Sequence, residues 1–392
     1  MKLSFKTTIN ACFIGYIVQA IINNFIPLLF VTFQNTYNIE LGKITLLITI
    51  NFIVQLLVDM LSVKFIDKIG YRTSIVLAHL FSAVGLILLP ILPNVIDSFT
   101  GILISVILYA IGGGIIEVLI SPIMEACPTE NKEKSMSLLH SFYCWGHVGV
   151  VLISTIFFII FKIENWWILS LIWAAIPIIN AIIFIKAPIN KLNTEDNGSK
   201  LSELFKNKIF WLLLIMMICA GASEQAVSQW ASSFAEKALN IDKSIGDLFG
   251  PMMFAIMMGI SRVIFGKFGD KISLDKYMIF SAILCIAAYL LISLSPIPIL
   301  SLIGCAVCGF SVGILWPGTF SKSSKLITNG GTALFAILAL GGDFGCSMGP
   351  TLVGFISDYF DGDLKIGILC AILFPILLII STLILKKRDN LF

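Results

Sequence analysis

Residues 64–69 read Lys64-Phe65-Ile66-Asp67-Lys68-Ile69, and residues 267–272 read Lys267-Phe268-Gly269-Asp270-Lys271-Ile272. The two hexapeptides differ at one position and lie 203 residues apart in a chain of 392 residues. Each ends a long apolar run with a carboxylate between two cations. A charged motif that recurs at equivalent places marks an internal repeat, so the chain reads as one structural unit used twice. At the same offset Asp59 corresponds to Arg262, His140 to Asp343 and Gly146 to Gly349.

Working outward, the chain is 58% hydrophobic and 12% charged, with a mean hydropathy of +0.99. Soluble domains carry about 25% charged residues. Half that fraction cannot cover a water-facing surface of this size. A soluble enzyme, a disordered chain and a nucleic-acid binder, which would need a basic stripe, are excluded. A membrane-spanning helix needs about 20 mostly apolar residues. Runs of that kind fall at 7–33, 43–66, 73–93, 98–124, 136–160, 166–186, 208–236, 245–268, 276–295, 297–320, 330–357 and 365–386. They are too long for barrel strands and lack strand alternation. The expected fold class is therefore an all-α polytopic membrane protein with twelve transmembrane helices in two pseudo-symmetric six-helix bundles. The longest polar stretch, Lys186–Lys208, divides it into an N-terminal bundle at 1–186, a linker at 187–207 and a C-terminal bundle at 208–392. No cleavable signal peptide is expected, because the first apolar run is long and lacks a small-residue cleavage site.

The cations set the expected orientation. Of 26 Lys and Arg, twenty fall in segments that share a side with both termini, five on the other side, and Arg262 lies inside a helix. Short loops rich in Lys and Arg stay inside. Both termini are thus expected in the cytoplasm, and the location is a plasma or inner membrane. Trp166, Trp167 and Trp211 sit at helix ends, as interfacial anchors do. The nine cysteines read as small apolar residues, including the Cys305/Cys308 pair, beside which no His or acid stands.

Asp67-Lys68-Ile69-Gly70-Tyr71-Arg72 resembles the D-[RK]-x-G-[RK]-[RK] loop signature of the major facilitator superfamily. The glycine that usually stands four residues before the Asp is Val63 here, but the second copy has it, as Gly266 before Asp270. Within that superfamily the chain is similar to the fucose permease-like group of sugar:proton symporters. The resemblance rests on Glu117 five residues before Pro122, on Glu125 and Pro128, and on the segment from Met136 to Gly146. That group carries a proton-binding Asp four residues before a Pro in its first helix. The matching position is Asn23, before Pro27, and Asn cannot titrate. The resemblance implies that the first, fourth, seventh and tenth helices line the solute path. It also implies that the carboxylates and cations Asp59, Asp67, Lys68, Arg72, Arg262, Asp270 and Lys271 act in gating, pairing differently as the halves rock.

A charge inside a bilayer costs at least ~2.5 kcal/mol on insertion scales, so it faces a cavity or a partner. Asp59, Glu117, Glu224, Arg262 and Asp343 are such residues. Gly221, Glu224, Gln225, Ser228, Gln229 and Ser232 form one polar stripe at helical spacing, with Trp230 near its outer end. Such a stripe lines a water-filled path or bonds to a neighbouring helix. Gln19, Asn23 and Asn24 continue a weaker stripe in the first helix, and Trp316 stands in the tenth. His147 in the fifth helix binds solute, shuttles protons or packs. Amides offer donors and acceptors, and an aromatic face stacks on sugar C–H groups. The expected solute contacts are Gln19, Asn23, Asn24, His147, Glu224, Gln225, Gln229, Trp230 and Trp316. The candidate proton-coupling residues are Glu117, Glu224 and Asp343.

The leading expectation is a secondary transporter that takes up a small polar solute, such as a sugar, with protons and by alternating access. The alternative is a proton-driven efflux transporter for drugs or metabolites. Superfamily antiporters usually carry G-x-x-x-G-P in the fifth helix, whereas here it occurs at Gly345–Pro350, in the eleventh. Neither a Walker A sequence nor clustered metal ligands stand in the sequence, so no enzyme activity and no cofactor are expected. The expected partners are the solute, protons and the lipid bilayer, with no nucleic acid, and the chain is expected to be a monomer.

Overall fold

A computed structural model describes residues 4–128, 132–190, 201–268, 273–327 and 331–389. Asp270 and Lys271, and the side chain of Asp67, lie outside the described residues. The described secondary structure is helical, and twelve helices are long and apolar enough to cross a membrane. They are α1 (Phe5–Tyr37), α2 (Leu41–Leu61), α3 (Tyr71–Asn94), α4 (Ser98–Glu125), α5 (Leu138–Phe161) and α6 (Ile163–Lys186) in the first half. The second half holds α7 (Lys208–Ala238), α8 (Lys243–Phe265), α9 (Leu274–Leu294), α10 (Pro298–Leu326), α11 (Leu334–Tyr359) and α12 (Leu364–Lys386). Helices satisfy every backbone group internally, which the hydrocarbon core requires. Rows of Ile, Leu and Phe stay exposed along them, as on Ile153, Ile156 and Ile160 of α5, and lipid is the solvent that fits those faces.

The chain divides into two compact units, Met1–Thr194 and Glu195–Phe392. In the first, α1 packs against α4, α5 and α6, α4 against α2 and α3, and α3 against α6. In the second, α7 packs against α10, α11 and α12, α10 against α8 and α9, and α9 against α12. The second scheme is the first with each helix advanced by six. The repeat also shows in the loops. Asn38 and Asn240 both take left-handed backbone, at φ 52° each, and each precedes an Ile and then an acidic N-cap, Glu40 or Asp242. Asn tolerates that conformation better than other side chains. The tripeptide signal stands in the sequence, 202 residues apart.

Small residues set how closely helices approach. Gly146 of α5 meets Ala20 and Ile17 of α1, and Gly349 of α11 meets the Ala222 backbone of α7. Gly345 likewise lies on the carbonyl of Ile218, so the Gly345–Pro350 motif seats α11 on α7. Small residues let backbones pack where lipid gives no hydrophobic drive.

Several helices are broken within the span: α8 carries a π-turn, Leu248–Met252, α12 breaks at Ala371 and Ile372, and α1, α7 and α10 are broken as well. In α1 the α-helix Phe5–Asn24 gives way to a 3-10 turn, Ile26–Leu29, containing Pro27. Proline has no N–H for the carbonyl four residues back, that of Asn23. The α-helix Lys208–Ser228 of α7 ends before Trp230 and closes in a π-turn, Phe234–Ala238. In α10 the break falls at Gly313 and Ile314. At the N-terminal end of α4, Asp97 accepts from the backbone N–H of Thr100 at 2.9 Å and from its hydroxyl at 2.8 Å. Those bonds hold the Asp97 carboxyl below the ordinary aspartate range.

Candidate functional site

The first unit contains a buried amide cluster built on α1, α2 and α4. Gln19 and Asn23 lie one turn apart on α1, and Asn51 and Gln55 one turn apart on α2. Gln19 Nε2 donates to Gln55 Oε1 at 2.8 Å and to Glu117 Oε2 at 3.1 Å. Gln55 Nε2 donates to Asn23 Oδ1 at 3.0 Å, and Asn51 Nδ2 donates to the same oxygen at 3.4 Å. All four amides are at most 6% exposed. Two acceptors, Gln19 Oε1 and Asn51 Oδ1, are buried with no hydrogen-bond partner. A buried acceptor left unmatched costs about 1–3 kcal/mol, so these atoms call for a donor from solute or water.

One turn along α4 from Glu117, Ser121 Oγ lies 3.2 Å from the Tyr16 hydroxyl, which is 3.3 Å from His140 Nδ1. His140 is exposed. The cluster thus continues along α1 to an open side chain on α5.

The second unit has a different polar ladder. Gln229 Nε2 donates to Gln225 Oε1 at 3.0 Å, and Gln225 Nε2 to Glu224 Oε1 at 3.2 Å. Glu224 Oε2 is 3.7 Å from Arg262 Nη2 of α8. Arg262 also donates through Nε to the Gly313 carbonyl at 3.3 Å, where α10 breaks. The guanidinium therefore ties α7, α8 and α10 together. The rest of the α7 stripe is used in packing. Gly221 lies against the Gly342 carbonyl, and Ser232 bonds to Asp247 of α8. The bonding to neighbouring helices that the stripe's spacing allowed is present, through Glu224 to Arg262 and Ser232 to Asp247.

The structure brings Gln19, Asn23 and Glu117 into one cluster and Glu224, Gln225, Gln229 and Arg262 into another. Asn24 turns back to the Ala20 carbonyl at 2.9 Å. Trp230 is 0% exposed, and its indole donates to the Pro350 carbonyl at 2.9 Å. That bond joins α7 to α11. The half-buried Trp316 ring covers Gly342, the residue before the half-buried Asp343. His147 is buried on α5, and Asp59 is buried on α2, one turn from Gln55. Lys68 is exposed. Arg72 donates to the carbonyls of Phe184 and Ile185, both at 2.7 Å, so it caps the end of α6.

Sequence reasoning missed Asn51 and Gln55, although Asn51, Gln55 and Asp59 follow the i, i+4, i+8 spacing that revealed the stripe in α1. It also passed over Asp247, which is 1% exposed, accepts from Ser232 and pairs with Lys243 at 3.2 Å. Its place near a helix end disguised it as a loop charge. Among the described residues no His, Cys, Asp and Glu group suited to a metal occurs.

The chain matches the family model described as Major Facilitator Superfamily over residues 12–350. Among solved structures it resembles the Escherichia coli fucose:proton symporter FucP, with a TM-score of 0.65 and 17% identity, covering 95% of this chain and 97% of that one. It also resembles a bacterial homologue of the human lysosomal transporter Spinster, in an inward-facing and occupied conformation. There the TM-score is 0.75 and the identity 12%, over 97% of this chain and 96% of that one. At these identities the likeness concerns the fold. No curated protein matches the chain by sequence.

Proposed function

The chain belongs to the major facilitator superfamily and is a multi-pass membrane transporter, not an enzyme, and from that premise we propose that it takes up a small polar solute together with protons by alternating access. The observation that carries this reading is the surroundings of Glu117. Among the described residues its carboxylate has an amide donor, Gln19, and no ion-pair partner. A carboxylate held by a neutral amide gives up its charge to a proton without stranding a cation. Glu224 differs, because the Arg262 guanidinium stands 3.7 Å from its carboxylate, so protonating it would give up that ion pair. Glu117 is therefore the proton carrier in this proposal, and Glu224 is the fixed partner of Arg262. Asp343 stays a secondary candidate beside Trp316.

Asn23 supports the same assignment. It occupies the place of the related group's Asp, yet its oxygen is a neutral acceptor for two amides. Among the hydrogen-bonded side chains Gln19, Asn23, Asn51, Gln55 and Glu117, the titratable one is Glu117. The unmatched acceptors and the dense amides suit a hydroxyl-rich solute such as a sugar.

The test uses the purified protein in lipid vesicles with an imposed pH gradient. A thermal-shift screen against sugars, nucleosides and cationic drugs first selects the probe. Glu117→Gln is expected to abolish uphill uptake of that probe while solute exchange persists. Unchanged uphill uptake would remove Glu117 from the role. Stabilisation by hydrophobic cations alone would favour efflux instead.

A further inference from the structure

The amides of the first unit form a hydrogen-bonded chain, and an ionised carboxylate orients its first member, Gln19. A carboxylate only accepts hydrogen bonds, so Gln19 must turn its NH2 group toward Glu117. The same NH2 group then meets the Gln55 carbonyl at 2.8 Å. Gln55 is left to give its own NH2 group to Asn23 Oδ1 at 3.0 Å, where Asn51 also donates. Gln19 thus donates on both sides, to Glu117 and Gln55, Asn23 accepts on both sides, from Gln55 and Asn51, and the atoms left bare at the two ends are acceptors, Gln19 Oε1 and Asn51 Oδ1.

Resting on the proton-carrier reading of Glu117, we propose that Gln55 is a positioning residue that relays the charge of Glu117 to Asn23 and Asn51 by reversing the amide chain. A proton from the aqueous phase settles on the Glu117 carboxylate, and that oxygen becomes a donor. Gln19 then turns its carbonyl toward it, and Gln55 gives its NH2 group to Gln19. Asn23 gives its NH2 group to Gln55, and Asn51 accepts from Asn23. No bond beyond the O–H of Glu117 forms or breaks. The bare atoms change from two acceptors to two N–H donors. The face offered to a solute thus changes sign with one proton, although Asn23 and Asn51 cannot titrate.

The space for such a turn is set by Gly113. A Cβ there would stand 3.1 Å from Gln19 Oε1 and 3.3 Å from Gln55 Oε1. Other titratable groups stand on the helices packed against α4: Tyr16 of α1, Asp59 of α2, His79 of α3, and His140, Tyr143 and His147 of α5. His79 is engaged with the Ile75 carbonyl and with Asn180, and His140 with Tyr16. Gln19 is the hydrogen-bond partner of the Glu117 carboxylate.

Difference infrared spectroscopy on the protein in lipid vesicles tests the relay with protons as the sole probe. Side-chain amides of Gln and Asn are isotope-labelled in separate samples. In the wild type, the carbonyl band of protonated Glu117 and the shifts of both amide sets are expected to share one midpoint. Glu117→Gln removes the carboxyl band and its amide companions. Gln55→Met keeps the carboxyl band and loses the asparagine shift. Amide bands that stay still while the carboxyl titrates overturn the relay and leave the carrier reading intact. A carboxyl band untouched by Glu117→Gln overturns the carrier reading and the relay with it. An asparagine shift that survives in Gln55→Met also overturns the relay. If Gln55→Met does not fold, the wild-type comparison still decides.

Discussion

Gly113 and Trp230 act on the two candidate clusters in opposite ways. Gly113 makes room, since a methyl group there would press on both glutamine carbonyls. Gly113→Ala is expected to cut uptake at least tenfold while thermal stability moves by less than about 1 kcal/mol, because the amides yield by turning. Uptake and thermal unfolding measured on one preparation separate the two effects. Trp230 fills space and holds the Pro350 carbonyl. Trp230→Phe is expected to cost about 1 kcal/mol through that bond, with solute affinity unchanged. A loss of affinity larger than the loss of stability would place Trp230 at the solute site. The polar residues were legible as types at helical spacing. Their partners were not, because spacing within one helix says nothing of what the next helix presents. Glu224 and Glu117 read alike until Arg262 was found beside one of them.

At the scale of the element, the broken helices divide by cause. The break in α1 is written at Pro27, which cannot donate to the Asn23 carbonyl. Pro27→Ala is expected to let α1 run straight and to reduce transport with the fold kept. Circular dichroism and uptake check the two halves of that expectation. The π-turn of α7, Phe234–Ala238, has no such local mark, whereas that of α8, Leu248–Met252, contains Pro251. They sit where Gly246 packs on Ala235 and Gly250 on the Ala231 carbonyl, beside the Asp247, Ser232 and Lys243 network. π-turns are held by tertiary contact and concentrate at functional sites. Asp247 is buried, so removing its cation leaves an uncompensated charge, a change worth about 3–5 kcal/mol. Lys243→Met is expected to lower the unfolding temperature well below that of Lys243→Arg. Equal temperatures would mean that Ser232 alone satisfies Asp247.

For the whole molecule, the repeat is the organising fact. The hexapeptides at 64–69 and 267–272 announced it, and the same helix-to-helix packing in each unit repeats it. The distribution of Lys and Arg predicts cytoplasmic termini, and labelling tests that. In a variant without the exposed Cys370, an impermeant thiol reagent outside intact cells should reach Asp361→Cys and not Lys206→Cys. The reverse pattern would invert the orientation.

The sequence by itself determined the membrane as solvent, the twelve helices and the two-fold repetition. Those follow from composition and period, which each segment carries locally. Tertiary structure alone decided which of the buried acids faces a cation and which faces an amide. It also brought Gln55 and Asn51 to Asn23, and the Trp230 indole to the Pro350 carbonyl. Such pairings join residues on separate helices, and the energy of an ion or amide in hydrocarbon depends on its neighbour rather than on its own helix.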